Sequence, residues 1–285
     1  MKTIYFFLIL SIFYACKTEN NSKNNVGNTE KSLKTLEKYN LPQVLEETSG
    51  LALINDTLWT LNDSGNEAAL YAISKKGELL EKRSTSNINI DWEDMTNSKG
   101  KIIIADVGNN YGTRKNLYLI DYDLSNGNAN SIDSIPFYYP EQENFSFQQA
   151  TPFDAEGLIF IDDKIVLFTK NRSTLTTELY EISSTTKIAK KIGSLNVGSL
   201  ITGADYHQKS KTLVLTGYGK NRNQYLYVIN DFSLSTLSNL KINQYRIDYY
   251  NAQIEAVAII NPDTFWITSE QTQNYTAFLA KVKIL

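Results

Sequence analysis

The hexapeptide DWEDMT sets three carboxylates, Asp91, Glu93 and Asp94, around Trp92. Carboxylates crowded together with no thiolate or imidazole among them are hard oxygen ligands, suited to Ca²⁺ or Mg²⁺ rather than zinc or copper. Two further glutamates stand in similar short strings, Glu156 in AEGLIF and Glu255 in IEAVAII. Glu93, Glu156 and Glu255 are therefore the candidate metal ligands, with Ca²⁺ as the candidate cofactor. The single histidine, His207, lies in ADYHQKSK near a turn expected on the far side from these acids. No Gly-x-Ser-x-Gly nucleophile elbow is present, and no phosphate-cradling glycine loop precedes a helix.

Short strand-like runs must position these acids. The string Leu-Tyr-x-Ile recurs with Tyr71, Tyr118, Tyr180 and Tyr227 at its second place, spaced 47, 62 and 47 residues apart, and a weaker copy follows 51 residues later at Phe278. Before each copy come two other runs in constant order. The first begins with small or acidic residues (TSGLALI, WEDMTN, AEGLIFI, TGADYHQ, IEAVAII), and the second is β-branched or aromatic (TLWTLND, KIIIADVG, KIVLFTKN, TLVLTGYG, TFWITSEQ). Units of about 50 residues with short antiparallel strands and no helical periodicity predict an all-β chain folded as a single β-propeller of four-stranded blades. Five units are countable. Six is the alternative if the aromatic insertion after Asp123 hides further strands. The last unit stops after its third strand, so KSLKTLEKYNLPQV, ahead of the first, is expected to close the last blade as its outer strand.

Register then gathers the acids. Glu93 aligns with Ser49, Glu156, Gly203 and Glu255, and the next column is Gly50, Asp94, Gly157, Ala204 and Ala256. Two residues ahead of the glutamates stand Glu47, Asp91, Asp154, Ile201 and Gln253, on the same side of the strand by period-2 alternation. The second strands run back to this rim, so their ends join it. The expected ligand-binding face is Asn62, Asp63, Asp91, Asp106, Asn109, Lys170, Arg172, Tyr218 and Glu270, with Lys170 and Arg172 placed to hold an anionic group. Trp59, Trp92 and Trp266 are expected to pack between blades, and Arg114 to be a solvated loop residue.

The N-terminus adds an address. MKTIYFFLILSIFYAC has a lysine near its start and an apolar run too short to span a bilayer, ending at the only cysteine. Residues 1–15 read as a lipoprotein signal peptide, with Cys16 as the lipidated residue. Residues 16–30 read as a polar tether, and 31–285 as the propeller. The tether carries no acidic inner-membrane retention signal, which points to the outer membrane with its side undetermined. One cysteine excludes a disulfide within the chain, and a net charge of −3 speaks against nucleic acid as a partner.

ETSGLA, LWTLNDSG, DWEDMT, IIIADVGNNYGTR and EGLIF together resemble a group of bacterial secreted propellers that includes lipoproteins near the SdiA-regulated family and the domain called esterase-like activity of phytase. The resemblance covers most of residues 45–285 and implies a propeller fold. It departs at Gly108-Asn109-Asn110, where a Gly-Asp-Asn string is expected, which removes one ligand carboxylate. It brings no catalytic residue with it. Two functional readings follow: a lipid-anchored envelope protein binding a small ligand, a glycan or another envelope protein on its polar channel face, or a metal-dependent hydrolase of phosphoester, ester or lactone bonds. In the second, Glu93, Glu156 and Glu255 hold a cation that activates water.

Overall fold

The structure is a computed structural model describing residues 31–125 and 132–285; the leader, Cys16 and the tether lie outside the described residues. Twenty strands and one short 3-10 helix, Gln43–Leu45, make up its regular structure. After β1 (Lys31–Asn40), the strands come in groups. The first is β2 (Thr48–Ile54), β3 (Thr57–Asn62), β4 (Ala69–Ile73) and β5 (Leu79–Ser84). The second is β6 (Trp92–Ser98), β7 (Lys101–Asp106), β8 (Leu117–Tyr122) and β9 (Ile132–Phe137). The third is β10 (Ala155–Ile161), β11 (Lys164–Thr169), β12 (Thr176–Ser183) and β13 (Ile188–Asn196). Then follow β14 (Leu200–His207), β15 (Thr212–Tyr218), β16 (Gln224–Ile229) and β17 (Asn243–Ile247), and finally β18 (Ile254–Asn261), β19 (Thr264–Ser269) and β20 (Phe278–Ile284).

Each group is an antiparallel meander, and tight turns join its first two strands. Asn55-Asp56 (φ 48° and 67°), Lys99-Gly100 (54° and 91°) and Asp162-Asp163 (49° and 62°) all take the positive φ pair that matches hairpin twist. The first three groups are separate four-stranded sheets, while the rest form one sheet ordered β14-β15-β16-β17-β1-β20-β19-β18. In that sheet the backbone of β1 pairs with β17 at Lys31 and Ser32, in parallel with Tyr245 and Arg246. It pairs antiparallel with β20 from Leu33 opposite Ile284 to Asn40 opposite Phe278.

The first strands of the groups, β2, β6, β10, β14 and β18, lie side by side, and β18 returns to β2. Apolar clusters fill each seam between successive groups. The seam that closes the cycle sets Trp266 and Leu279 against Leu58 and Tyr71. Meanders radiating from a closed ring of inner strands are the architecture of a β-propeller. Trp59, Trp92 and Trp266 are all buried in these seams.

Two details depart from the repeat read in the sequence. Tyr180 and Tyr227 stand opposite Leu167 and Leu215, whereas in the second sheet Ile120 holds the matching place opposite Ile104 and Tyr118 sits two residues earlier, opposite Asp106. Alternation is preserved by a shift of two, so Leu-Tyr-Leu-Ile spells the motif out of register. Among its described residues the aromatic insertion contributes one strand, β9, the fourth of its sheet. Of its aromatics, Tyr139 meets Phe137, Phe153 and, outside the insertion, Tyr180 at 5.7, 5.2 and 4.7 Å between ring centroids, while Phe147 stacks on Tyr111 at 4.8 Å.

Candidate functional site

A β-bulge interrupts every inner strand at its start. Pairing skips from Trp92 to Asp94, from Ala155 to Gly157, from Ile201 to Gly203 and from Ile254 to Ala256. The extra residues are Glu93, Glu156, Thr202 and Glu255; in β2 the skip takes in both Ser49 and Gly50. A bulge re-aims the side chain it carries, and here it does so for three buried glutamates. The expected column therefore slips by one in β14, where Thr202 replaces Gly203 among the bulged residues and Gly203 replaces Ala204 in the small column. Gly203 belongs there because a Cβ would lie 2.4 Å from the Glu255 carbonyl oxygen.

A second column comes from the ends of the second strands. The backbone N–H groups of Asp63, Val107, Lys170 and Glu270 donate to the carbonyls of Glu47, Asp91, Asp154 and Gln253 at 3.0, 3.1, 2.7 and 3.0 Å. Tyr218, paired with Leu200, holds the corresponding place in the fourth group. Asp63, Lys170, Tyr218 and Glu270 thus ring the mouth above the glutamates, and their charges act on one another and on Glu156 and Glu255.

The acids divide by whether the fold supplies a counter-group. The Lys170 ammonium lies 2.7 Å from Glu156, and Arg172 pairs with Asp154 and donates to Asn110 Oδ1 at 2.5 Å. Asp94 accepts backbone N–H bonds from Met95 (2.8 Å), Leu158 (2.8 Å) and Ala204 (3.2 Å). Glu93, only 5% exposed, has no donor to its carboxylate among the described residues. It belongs to two groups in which one carboxylate oxygen from each member lies within 4.8 Å of the others: Asp63, Asp91 and Glu93, and Glu93, Asp154 and Glu156. Glu255 joins neither. Gly108 makes room for the first group, since a Cβ there would stand 2.0 Å from Glu93 Oε1 and 2.4 Å from Asp91 Oδ2.

Protonation follows this division. Burial, then the Asp63 charge, pushes Asp91 up to about 6. Burial drives Glu93 well above the usual carboxylate range, with Glu156, Asp63 and Asp91 adding to it. Burial takes Glu156 up to about 8 against the pull of Lys170, Glu255 to about 7 against the same pull, and Glu270 to about 10 with the Glu255 charge adding. Burial works against a charged Lys170, but Glu156 and Glu255 outweigh it and raise it well above the ordinary lysine value. Burial thus favours the protonated forms of these acids, and a cation entering the mouth would favour the ionised ones.

Of the residues expected on the binding face, Asp63, Asp91, Lys170, Arg172, Tyr218 and Glu270 meet at the mouth. Asn62 and Asp106, the last residues of β3 and β7, and Asn109 in the loop after β7 are buried instead. Asn62 donates to the Val44 carbonyl at 2.8 Å. Asp106 pairs with Arg114 at 2.6 Å and accepts the Ile90 and Asp91 N–H groups at 3.2 Å each. Asn109 receives the Arg114 N–H at 2.9 Å and donates its own to Asp154 at 2.8 Å. Arg114 is therefore not a solvated loop residue: it also donates to the carbonyls of Gly108 and Asn116 at 2.8 and 3.0 Å, because Asp106 draws it inward. His207 is at the other end of the channel, bonded to Ser210 at 2.8 Å, in a hollow it shares with Asp205.

No family model matches the chain, and no curated protein does. Among solved structures it is similar to a luciferin-regenerating enzyme, with a TM-score of 0.45 and 12% identity over 89% of this chain and 95% of that one. It is also similar to a chain of a mitotic checkpoint complex, with a TM-score of 0.46 and 11% identity over 96% of this chain and 99% of that one. A third similarity is to the WD40 repeats of RRP9, with a TM-score of 0.43 and 8% identity over 84% of this chain and 67% of that one.

Proposed function

We propose that this chain is a lipid-anchored cell-envelope protein, a five-bladed propeller closed by β1, that binds a ligand on its polar channel mouth with a divalent cation as part of the site. The observation that carries the reading is Glu93: a buried carboxylate without a donor, beside Asp63 and Asp91, while Glu156 already faces Lys170. Oxygens ligating one Ca²⁺ at about 2.3–2.6 Å lie within about 5 Å of one another, which the Asp63, Asp91 and Glu93 group satisfies. The cation is thus assigned to that group, with Lys170 serving as the built-in counter-charge for Glu156 and Glu255. Cys16 is the lipid attachment point and the outer membrane the address, in keeping with the resemblance to secreted propellers near the SdiA-regulated family and the esterase-like domain of phytase.

Calcium at one hundred times its dissociation constant stabilises a folded protein by about 2.7 kcal/mol, a rise in melting temperature of roughly 5–10 °C for a chain of this size. We expect that rise in the wild type and its loss in Glu93→Gln; a wild type indifferent to millimolar Ca²⁺ and Mg²⁺ would remove the cation from the reading. A second reading, a metal-dependent hydrolase, is favoured by Asp91 and Glu255, held at about 6 and 7, where a carboxylate can take up a proton near neutral pH. Turnover of a phosphoester, ester or lactone panel that requires added cation and fails in Glu255→Gln would establish it.

A further inference from the structure

Beside the acidic mouth, where the fourth and fifth groups meet, lies a cleft of about 720 Å³, within the range of about 300–1,000 Å³ typical of small-molecule sites. One wall is the β15–β16 turn with Tyr218, Lys220 and Arg222, and the other is formed by Asn251 and Gln253 ahead of β18 and Gln273 in the β19–β20 loop. No aspartate or glutamate lines it, although the chain as a whole is net negative. Lys220 and Arg222 are exposed, and no carboxylate lies within ion-pair reach of either among the described residues. Two backbone bonds close the turn that carries them: Gly219 N–H donates to the Asn223 carbonyl at 3.0 Å and Arg222 N–H to the Gly219 carbonyl at 2.9 Å.

We infer that this cleft binds an acidic saccharide, a polyhydroxylated ring whose anionic substituent pairs with Lys220 and Arg222 while its hydroxyls meet the amides of Asn251, Gln253 and Gln273. Two cations without carboxylates call for an anion, and the amides of Gln253 and Gln273 on the facing wall can both donate to and accept from hydroxyls. Tyr218 supplies an aromatic wall with a polar tip, a side chain suited to a molecule that is apolar on its ring face and polar at its edge. The inference rests on reading this rim as the binding face.

The test is binding by the full chain of glucuronate, galacturonate, glucose 6-phosphate and glucose 6-sulfate, against glucose, galactose, inorganic phosphate and inorganic sulfate, followed by chemical-shift titration and thermal shift. At least one acidic sugar is expected to bind tenfold or more tightly than both its neutral parent and the inorganic anion, and which one does identifies the substituent. Lys220→Gln with Arg222→Gln should abolish that preference and leave the ligand-free melting temperature unchanged. Glu93→Gln should keep the preference, which separates the cleft from the cation. If no acidic sugar outbinds its neutral parent, or the double variant keeps the preference, the inference is overturned even where Ca²⁺ still stabilises. An inorganic anion binding as tightly as the sugars overturns the saccharide assignment.

Discussion

Glu93 and Asp94 are neighbours in the chain and do opposite work. Asp94 spans three inner strands by accepting N–H groups from β10 and β14, while Glu93 accepts none among the described residues. Burial drives the Asp94 carboxyl upward and its three backbone donors pull it back. Replacing Asp94 by Ala leaves the Leu158 and Ala204 N–H groups unpaired in the interior, a loss of about 2–4 kcal/mol expected in urea unfolding. Glu93→Gln should be nearly neutral without cation, because burial already holds that carboxyl protonated and the amide replaces one uncharged group by another of the same shape. Gly108→Ala forces a methyl group into the space of the Glu93 and Asp91 carboxylates. It is expected to cost about 1–3 kcal/mol and to erase the calcium response. A Gly108→Ala protein that still gains its full stability from calcium would place the cation elsewhere.

At the scale of the strand, the bulges explain both what the sequence made legible and what it hid. Asp91 and Glu93 declare their common face through spacing alone, and the glutamates of three inner strands align by sight. The slip came in β14, where Ile201, Thr202, Gly203 and Ala204 offer no charge to fix the register. The roles of Asp106, Asn109 and Arg114 were not legible, since whether a polar loop residue faces solvent or its own loop depends on partners that local pattern does not reveal. The closing strand was legible from an unfinished last unit. A chain beginning at Glu46 loses β1 and bares the edge of β20. It should melt at least about 10 °C below one beginning at Lys31, a difference of several kcal/mol for a protein of this size. Equal melting of the two would mean that β1 contributes little to the ring.

Over the whole molecule, the buried acids make stability depend on pH in an unusual direction. Asp91, Glu156 and Glu255 hold their protons up to about 6, 8 and 7 in the folded state, above the roughly 4 of an unfolded carboxyl. The folded chain therefore binds more protons than the unfolded one between those limits. The stability this confers is full below about pH 4 and is lost as pH rises through 6 to 8. Melting temperature measured in chelator should fall from pH 5 to pH 8.5. A cation displaces those protons, so its stabilisation should be larger at pH 8.5 than at pH 5; a flat profile in chelator would contradict the buried-acid account. At the same scale, Cys16→Ser should release the protein from membranes or leave an unprocessed precursor, and unchanged membrane partition would rule out the lipid. The pairing of β1 with β20 also orders events in time. Glu37 and Lys281, joined across that seam at 3.2 Å, are 244 residues apart in the chain. A ribosome makes β1 first among these strands and its partner last, at about 5–20 residues per second. Throughout synthesis β1 lacks its antiparallel mate, and every nascent intermediate is an open arc. The ring can shut only after β20 has emerged, so a stalled or clipped chain is left with edges ready to pair with another copy.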